Sequence, residues 1–206
     1  MTETAPALGP QQVRERLRRP RSKDRQPRGD HDLNPGMRPD TSLTPAAVLV
    51  PLVNRAEGLT AMFTRRTGHL LHHAGQISFP GGHVDPGDET PEETPLRETE
   101  EETGLDRRHV EIIGRLDQYL TRTGFSITPV VALVEPPFEL SPDPNEVEEV
   151  FEVPLAFLLD PANHQRHSRQ FEGRSRVFYA MPYEGYFIWG ATAGMLMDLY
   201  EALRTE

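Results

Sequence analysis

A dense acidic run between Arg97 and Leu105 constrains this chain more than any other stretch. It reads Arg97-Glu98-Thr99-Glu100-Glu101-Glu102-Thr103-Gly104-Leu105. On a helix, Glu98, Glu101 and Glu102 stand at i, i+3 and i+4 and share one face. Like charges so placed repel one another and weaken an isolated helix. A divalent cation turns that repulsion into ligation. Mg²⁺ suits the position, because it takes oxygen ligands and bridges a few carboxylates to substrate phosphates. Arg97 keeps its charge and can orient the carboxylates by paired hydrogen bonds. Gly104 reads as a left-handed helix stop.

The approach to this helix is equally specific. Phe79-Pro80 leads into Gly81-Gly82, and glycines let a backbone come close to a phosphate. The loop from Gly81 to Glu89 contains Asp85-Pro86-Gly87-Asp88 but lacks the alternating acids of an EF-hand calcium loop. Thr90 with Glu93 reads as a capping box, with Pro91 at the first helical position. Pro95 predicts a bend, or a helix that begins near it, since its missing N–H costs a bond inside a helix.

The stretch Arg97 to Leu105 resembles the end of the Nudix box, R-E-U-x-E-E-x-G-U with U apolar, and Gly82 resembles its opening glycine. Thr99 stands at an apolar position of that pattern. Asp88 lies the expected distance after the glycine and Glu89 the expected distance before the arginine, so the segment is one residue longer than the general box. That extra residue is a feature of the coenzyme A pyrophosphatase branch. Met62 to Gly82 is similar to the branch's second signature, with Thr64, Arg66, Gly75, Phe79, Pro80, Gly81 and Gly82 in register, Thr67 in place of serine and Leu71 in place of an arginine.

The resemblance implies a Nudix fold, an α/β/α sandwich, and a metal-dependent diphosphate hydrolase. It supports Glu98, Glu101 and Glu102 as ligands of Mg²⁺ or Mn²⁺, with a backbone carbonyl at Gly82 or Gly81 beside them. Arg97 would orient them, paired with Asp88 or Glu89. The general base would be a box glutamate, Glu101 or Glu102, or a carboxylate outside the box, Glu146 or Glu149. The implied substrate is coenzyme A or a thioester of it, cut to 3',5'-ADP and 4'-phosphopantetheine. Arg65, Arg66, His69, His72 and His73, with Gly81, are the nearby groups for its phosphates. ADP-ribose or a dinucleoside polyphosphate is the competing substrate class, and a nonenzymatic nucleotide-binding module the competing role. The oligomeric state stays open, a homodimer included.

Composition narrows the remaining choices. The chain has 206 residues, enough for one sizeable core, and no cysteine, which excludes disulfides and thiol chemistry. No apolar run reaches the ~18–20 residues of a membrane span, and MTETAPALGP lacks the pattern of a secretory signal, so a cytoplasmic enzyme is the expectation. Residues 1–40 carry nine Lys/Arg and six Asp/Glu; the totals of 22 and 32 leave thirteen and twenty-six, a net −13, in the rest. A domain so acidic is a poor match for duplex nucleic acid. Three histidines at 69, 72 and 73 fit no common zinc spacing.

In order, residues 1–40 read as an extension, with a short helix from Gln11 to Arg19 carrying Val13 and Leu17 on one side, then a connector; 41–206 read as the catalytic domain. Ala46–Val53 is a buried strand in which Pro51 argues for an edge or a bulge. Leu59–Arg66, Gln76–Phe79, Val110–Ile113, Gly114–Tyr119, Ser126–Glu135 and Asn145–Val153 read as further strands, and Pro154–Leu159 as a short helix. Val177–Met181 and Tyr186–Trp189 form a hairpin around Glu184-Gly185, after a basic stretch from Arg166 to Arg176. Ala191–Arg204 is a helix whose Met195, Leu196, Leu199 and Leu203 recur at helical spacing and belong to the core. The whole predicts an α/β or α+β fold with a mixed sheet between helices.

Overall fold

Alternation in two strands sets the architecture. In Ala46–Val53 and Ser126–Glu135 successive residues point to opposite faces of a sheet, and both faces are apolar. The computed structural model describes residues 8–20, 25–39, 42–69, 73–171 and 173–204. Its elements in chain order are α1 (Pro10–Leu17), β1 (Arg28–Gly29), β2 (Thr44–Arg55), β3 (Gly58–Arg66), β4 (Ile77–Ser78), β5 (Gly81–His83), α2 (Glu93–Thr103), β6 (Val110–Arg115), β7 (Tyr119–Leu120), β8 (Phe125–Val134), β9 (Val147–Pro154), α3 (Leu155–Leu158), β10 (Gln165–Phe171), β11 (Arg174–Tyr183), β12 (Tyr186–Trp189) and α4 (Ala191–Leu203).

The main sheet is mixed and runs β1-β7-β8-β2-β3-β4, with β5 on β2, β6 on β8 and β9 on β3. Strands β2 and β8 are parallel over their whole contact, from Thr44 with Phe125 to Val53 with Val134. One face, through Leu49, Val53, Met62, Val130, Ala132 and Val134, packs against Leu96 in α2 and Leu105 just past its end. The opposite face, through Val50, Leu52, Phe63, Val131 and Leu133, packs against α1, α3 and α4. A second antiparallel sheet, β10-β11-β12, lies on this side. The expected sandwich of a mixed sheet between helices is the observed fold.

Three local expectations need correction. Strand β2 is central, not an edge, although it contains Pro51. The proline falls between the residues that pair with β5 (46–48) and those that pair with β3 (52–55), where that flank has no ladder partner to lose. Pro129 sits likewise in β8, between the pairings to β7 and to β6. The capping box at Thr90 does not form: α2 starts at Glu93, and the Glu93 carboxylate accepts from the Glu89 N–H at 2.6 Å. Pro95 therefore lies in the first turn, where its missing N–H has no intrahelical partner anyway. The two strands expected across 110–119 are one strand, β6, with a register shift between Ile112 and Gly114, followed by the short β7.

The helix near the start forms as expected, and Val13 is fully buried. The connector after it has structure of its own. Strand β1 pairs with β7, and the Asn34 side chain donates to Asp30 O and Val177 O and accepts from the Val177 N–H, at 2.7–2.9 Å.

Candidate active site

Helix α2 carries its acids toward the Gly81–Gly82 turn. Glu102 is buried; its carboxylate accepts from the Gly81 N–H at 3.3 Å and lies 3.8 Å from the Arg66 guanidinium. A Cβ on Gly82 would stand 2.5 Å from the Glu98 carboxyl carbon, so this glycine is the space that Glu98 fills. Gly81 has φ +149°, and a Cβ there would meet Ala47 O at 2.3 Å. The glycine pair is thus required twice, once by the sheet and once by the carboxylates.

Arg97 holds the other side of the cluster. Its guanidinium lies 2.9 Å from Glu98, 3.1 Å from Asp85, 3.2 Å from Glu101 and 3.3 Å from Asp88. The expected pairing with Asp88 is present, Asp85 joins it, and Glu89 is occupied by Glu93 through its backbone. Asp88 is fixed in turn: the Thr94 hydroxyl, the Asp85 N–H and Arg97 all hold its carboxyl below the usual range. Thr99, at the apolar position of the box, is buried without cost to the pattern. Its hydroxyl donates to Pro95 O at 2.5 Å, one turn back.

The electrostatics separate the three glutamates. Burial raises the Glu102 carboxyl to about 8, against the opposing pull of the Gly81 N–H and Arg66. Burial also raises Glu98, with Arg97 pulling it down. Glu101 is exposed and turns to Arg97. Glu146 is exposed on the loop before β9, and its charge adds to the upward push on both Glu98 and Glu102. Its backbone carbonyl is fixed by the Thr67 N–H at 2.9 Å. A buried and a half-buried carboxylate, both with raised affinity for a proton, form a donor set that fits a divalent cation. Among the described residues no three Asp, Glu or His side chains close around one point; Glu98 and Glu102 form the inner pair.

A family model described as the NUDIX domain matches residues 43–172. The chain belongs to the Nudix family. It is 41% identical over 155 residues to an uncharacterized Nudix hydrolase, NudL, of Escherichia coli, covering 75% of this chain and 80% of that protein, and equally so to NudL of Escherichia fergusonii. DR0079 from Deinococcus radiodurans shares the fold, with a TM-score of 0.51, 16% identity and coverage of 81% of this chain and 88% of that one. Nudix hydrolases generally use divalent metals.

The Nudix carboxylates adjoin a cavity of about 610 Å³. Glu98 and Glu102 do not line it, but Gly81 and Arg66, which touch Glu102, do. Of the other expected phosphate contacts, His73 lines it too and is tied to Gln76 at 2.8 Å. His69 is exposed on the loop and does not line it. Arg65 points to β9, where it pairs with Glu149 at 2.9 Å and Glu148 at 3.4 Å; Glu149 also accepts from the Tyr186 hydroxyl. Leu71 and His72 lie outside the described residues. The sequence reading missed other parts of the lining, among them Asp30 and Asn34 before the family match, and Arg169, Arg176, Phe178 and Trp189 in the second sheet. Only the basic composition of 166–176 hinted at it. Among the described residues no helix is long and apolar enough to cross a membrane.

Proposed function

We infer that this Nudix hydrolase cleaves the diphosphate of coenzyme A, or of one of its thioesters, to 3',5'-ADP and 4'-phosphopantetheine. The observation that carries this reading is the Phe79-Pro80-Gly81-Gly82 turn, the end of the upstream signature. It brings the Gly81 N–H to the buried Glu102 and opens, through Gly81 and Arg66, on the large cavity. Glu98, Glu101 and Glu102 would hold Mg²⁺ or Mn²⁺ with the Gly82 carbonyl. When bound, the cation supplies charge neutralisation at the diphosphate oxygens and a lower pKa for attacking water.

The protein groups have separable tasks. Arg97 keeps Glu98 and Glu101 from turning away from each other's charge, and Asp85 and Asp88 keep Arg97 in place. The Gly81 N–H fixes the rotation of Glu102. Arg66 is the cation on the cavity side and would grip a diphosphate oxygen as negative charge develops there. Glu146, exposed and close enough for its charge to act on the pair, would take the proton from water; a box glutamate, Glu101 or Glu102, is the alternative base. His73, which lines the cavity, would meet substrate from the loop. The substrate is small and soluble, which suits a cytoplasmic enzyme.

Chromatography of products tests the reading. Coenzyme A, ADP-ribose and diadenosine polyphosphates are each incubated with Mg²⁺, Mn²⁺ or a chelator. Metal-dependent 3',5'-ADP and phosphopantetheine from coenzyme A is the expected result. Preferential cleavage of ADP-ribose would overturn the substrate but keep the chemistry, and no cleavage of any of them would favour a binding role.

A further inference from the structure

The stretch 165–176 carries four arginines and one glutamate in a chain whose net charge is −10. Strand pairing turns this composition into geometry. Arg169 stands directly opposite Arg176 across β10 and β11, so the two side chains share a face. Both arginines line the cavity that Gly81 and Arg66 also line.

Two rings extend this face. Phe178 follows Arg176 by two residues on β11, and its ring meets Trp189 edge-on with centroids 5.1 Å apart. Both line the same cavity. Two acids line it as well, but their charge is engaged elsewhere. The Asp30 oxygens accept from the Tyr119 hydroxyl and the Arg122 N–H at 2.9 Å, and Asp32 lies 3.5 Å from Arg28 and 3.6 Å from His31. Guanidinium forks bind the oxygens of a phosphate in pairs, and aromatic faces accept a nucleobase.

We propose that Arg169 and Arg176 form a second anion subsite, which binds a phosphate carried on the substrate's nucleoside, away from the diphosphate that is cut, with Phe178 and Trp189 offering the base a surface. The proposal rests on the reading above in so far as coenzyme A carries such a group, the 3'-phosphate. It moves recognition of that phosphate from the loop and Arg65, which is engaged with Glu148 and Glu149, to the second sheet.

Calorimetry with 3',5'-ADP and 5'-AMP tests the subsite without turnover. The full chain should bind 3',5'-ADP about tenfold more tightly than 5'-AMP, the size of one well-made charged contact. Arg169→Ala and Arg176→Ala should each erase most of that difference and leave 5'-AMP affinity unchanged. Arg169→Gln, which keeps a long side chain in the strand, repeats the test if an alanine variant does not fold. Equal affinities in the unaltered protein, or a difference that survives all three substitutions, would overturn the proposal. Discrimination without any metal-dependent cleavage of coenzyme A would leave the subsite standing and remove the hydrolase reading. Where coenzyme A is cleaved, Arg169→Ala should raise its KM about tenfold at unchanged kcat, and leave dephospho-coenzyme A unaffected.

Discussion

At the start of α2 four carboxylates surround one arginine; on β10 and β11 two arginines stand opposite each other. Both clusters adjoin one cavity, yet they are stabilised differently. Arg97 reaches Asp85, Asp88, Glu98 and Glu101, so much of the acid charge at α2 is balanced within the protein. Glu102 lies outside the reach of Arg97, buried, 3.8 Å from Arg66, and raised to about 8. On the second sheet the strand pairing itself brings like charges together. The difference shows how to divide labour in a charged site. Internal counter-charges fix positions at α2, and the strand pairing sets Arg169 beside Arg176 on the cavity wall.

Substitutions at each cluster should break this comparison in graded steps. Among substitutions around these two clusters, leaving Glu102 itself aside, Gly82→Ala has the largest effect. Its Cβ would enter the space of the Glu98 carboxylate, 2.5 Å away, and that flexible end can swing aside. Turnover should fall at least ~100-fold with little change in melting temperature, read by steady-state kinetics and a thermal melt. Arg97→Lys replaces a fork by a point charge that cannot serve four carboxylates. Turnover should fall about 10–100-fold, and extra Mg²⁺ should restore part of it. Arg169→Ala should cost about tenfold in KM alone, since it removes binding and not chemistry. Arg65→Ala is the smallest. A pair half open to solvent contributes little, so kcat/KM should change less than about threefold.

Much of the acidic cluster was legible in the sequence, and little of the basic one. The i, i+3, i+4 spacing of Glu98, Glu101 and Glu102 announces a helix face, and Gly104, at φ 72°, ends it as read. The stripe Met195, Leu196, Leu199, Leu203 likewise gave α4 its buried side. These signals are local, and a helix repeats them every turn. Strand β10 has no such signal, because Gln165 to Gln170 is polar on both faces and its meaning comes from a partner in β11. Asp30 and Asn34 are further out of reach. They look like connector residues, and their roles arise from contacts with Tyr119 and Val177, 89 and 143 residues away. Pro51 misled for a related reason: whether a proline is tolerated in a strand depends on where neighbouring strands begin and end.

Glu102 carries the central claim, and one paired measurement tests it. In the metal-free protein its carboxyl keeps a proton up to about 8, whereas the unfolded chain loses it near 4.5. The folded state therefore binds more protons across that window, and stability falls as pH rises through it. Thermal melts and turnover of Glu102→Gln are compared with those of the unaltered protein from about pH 5 to pH 8. The expected result is a variant that melts higher without metal at the alkaline end, by roughly 2–4 °C for each kcal/mol relieved, with the pH slope reduced. Its metal-dependent turnover should be at least about a thousandfold lower. A variant that keeps its turnover, with melts that follow pH as before, would contradict the account of Glu102 as the buried carboxylate that waits for a cation.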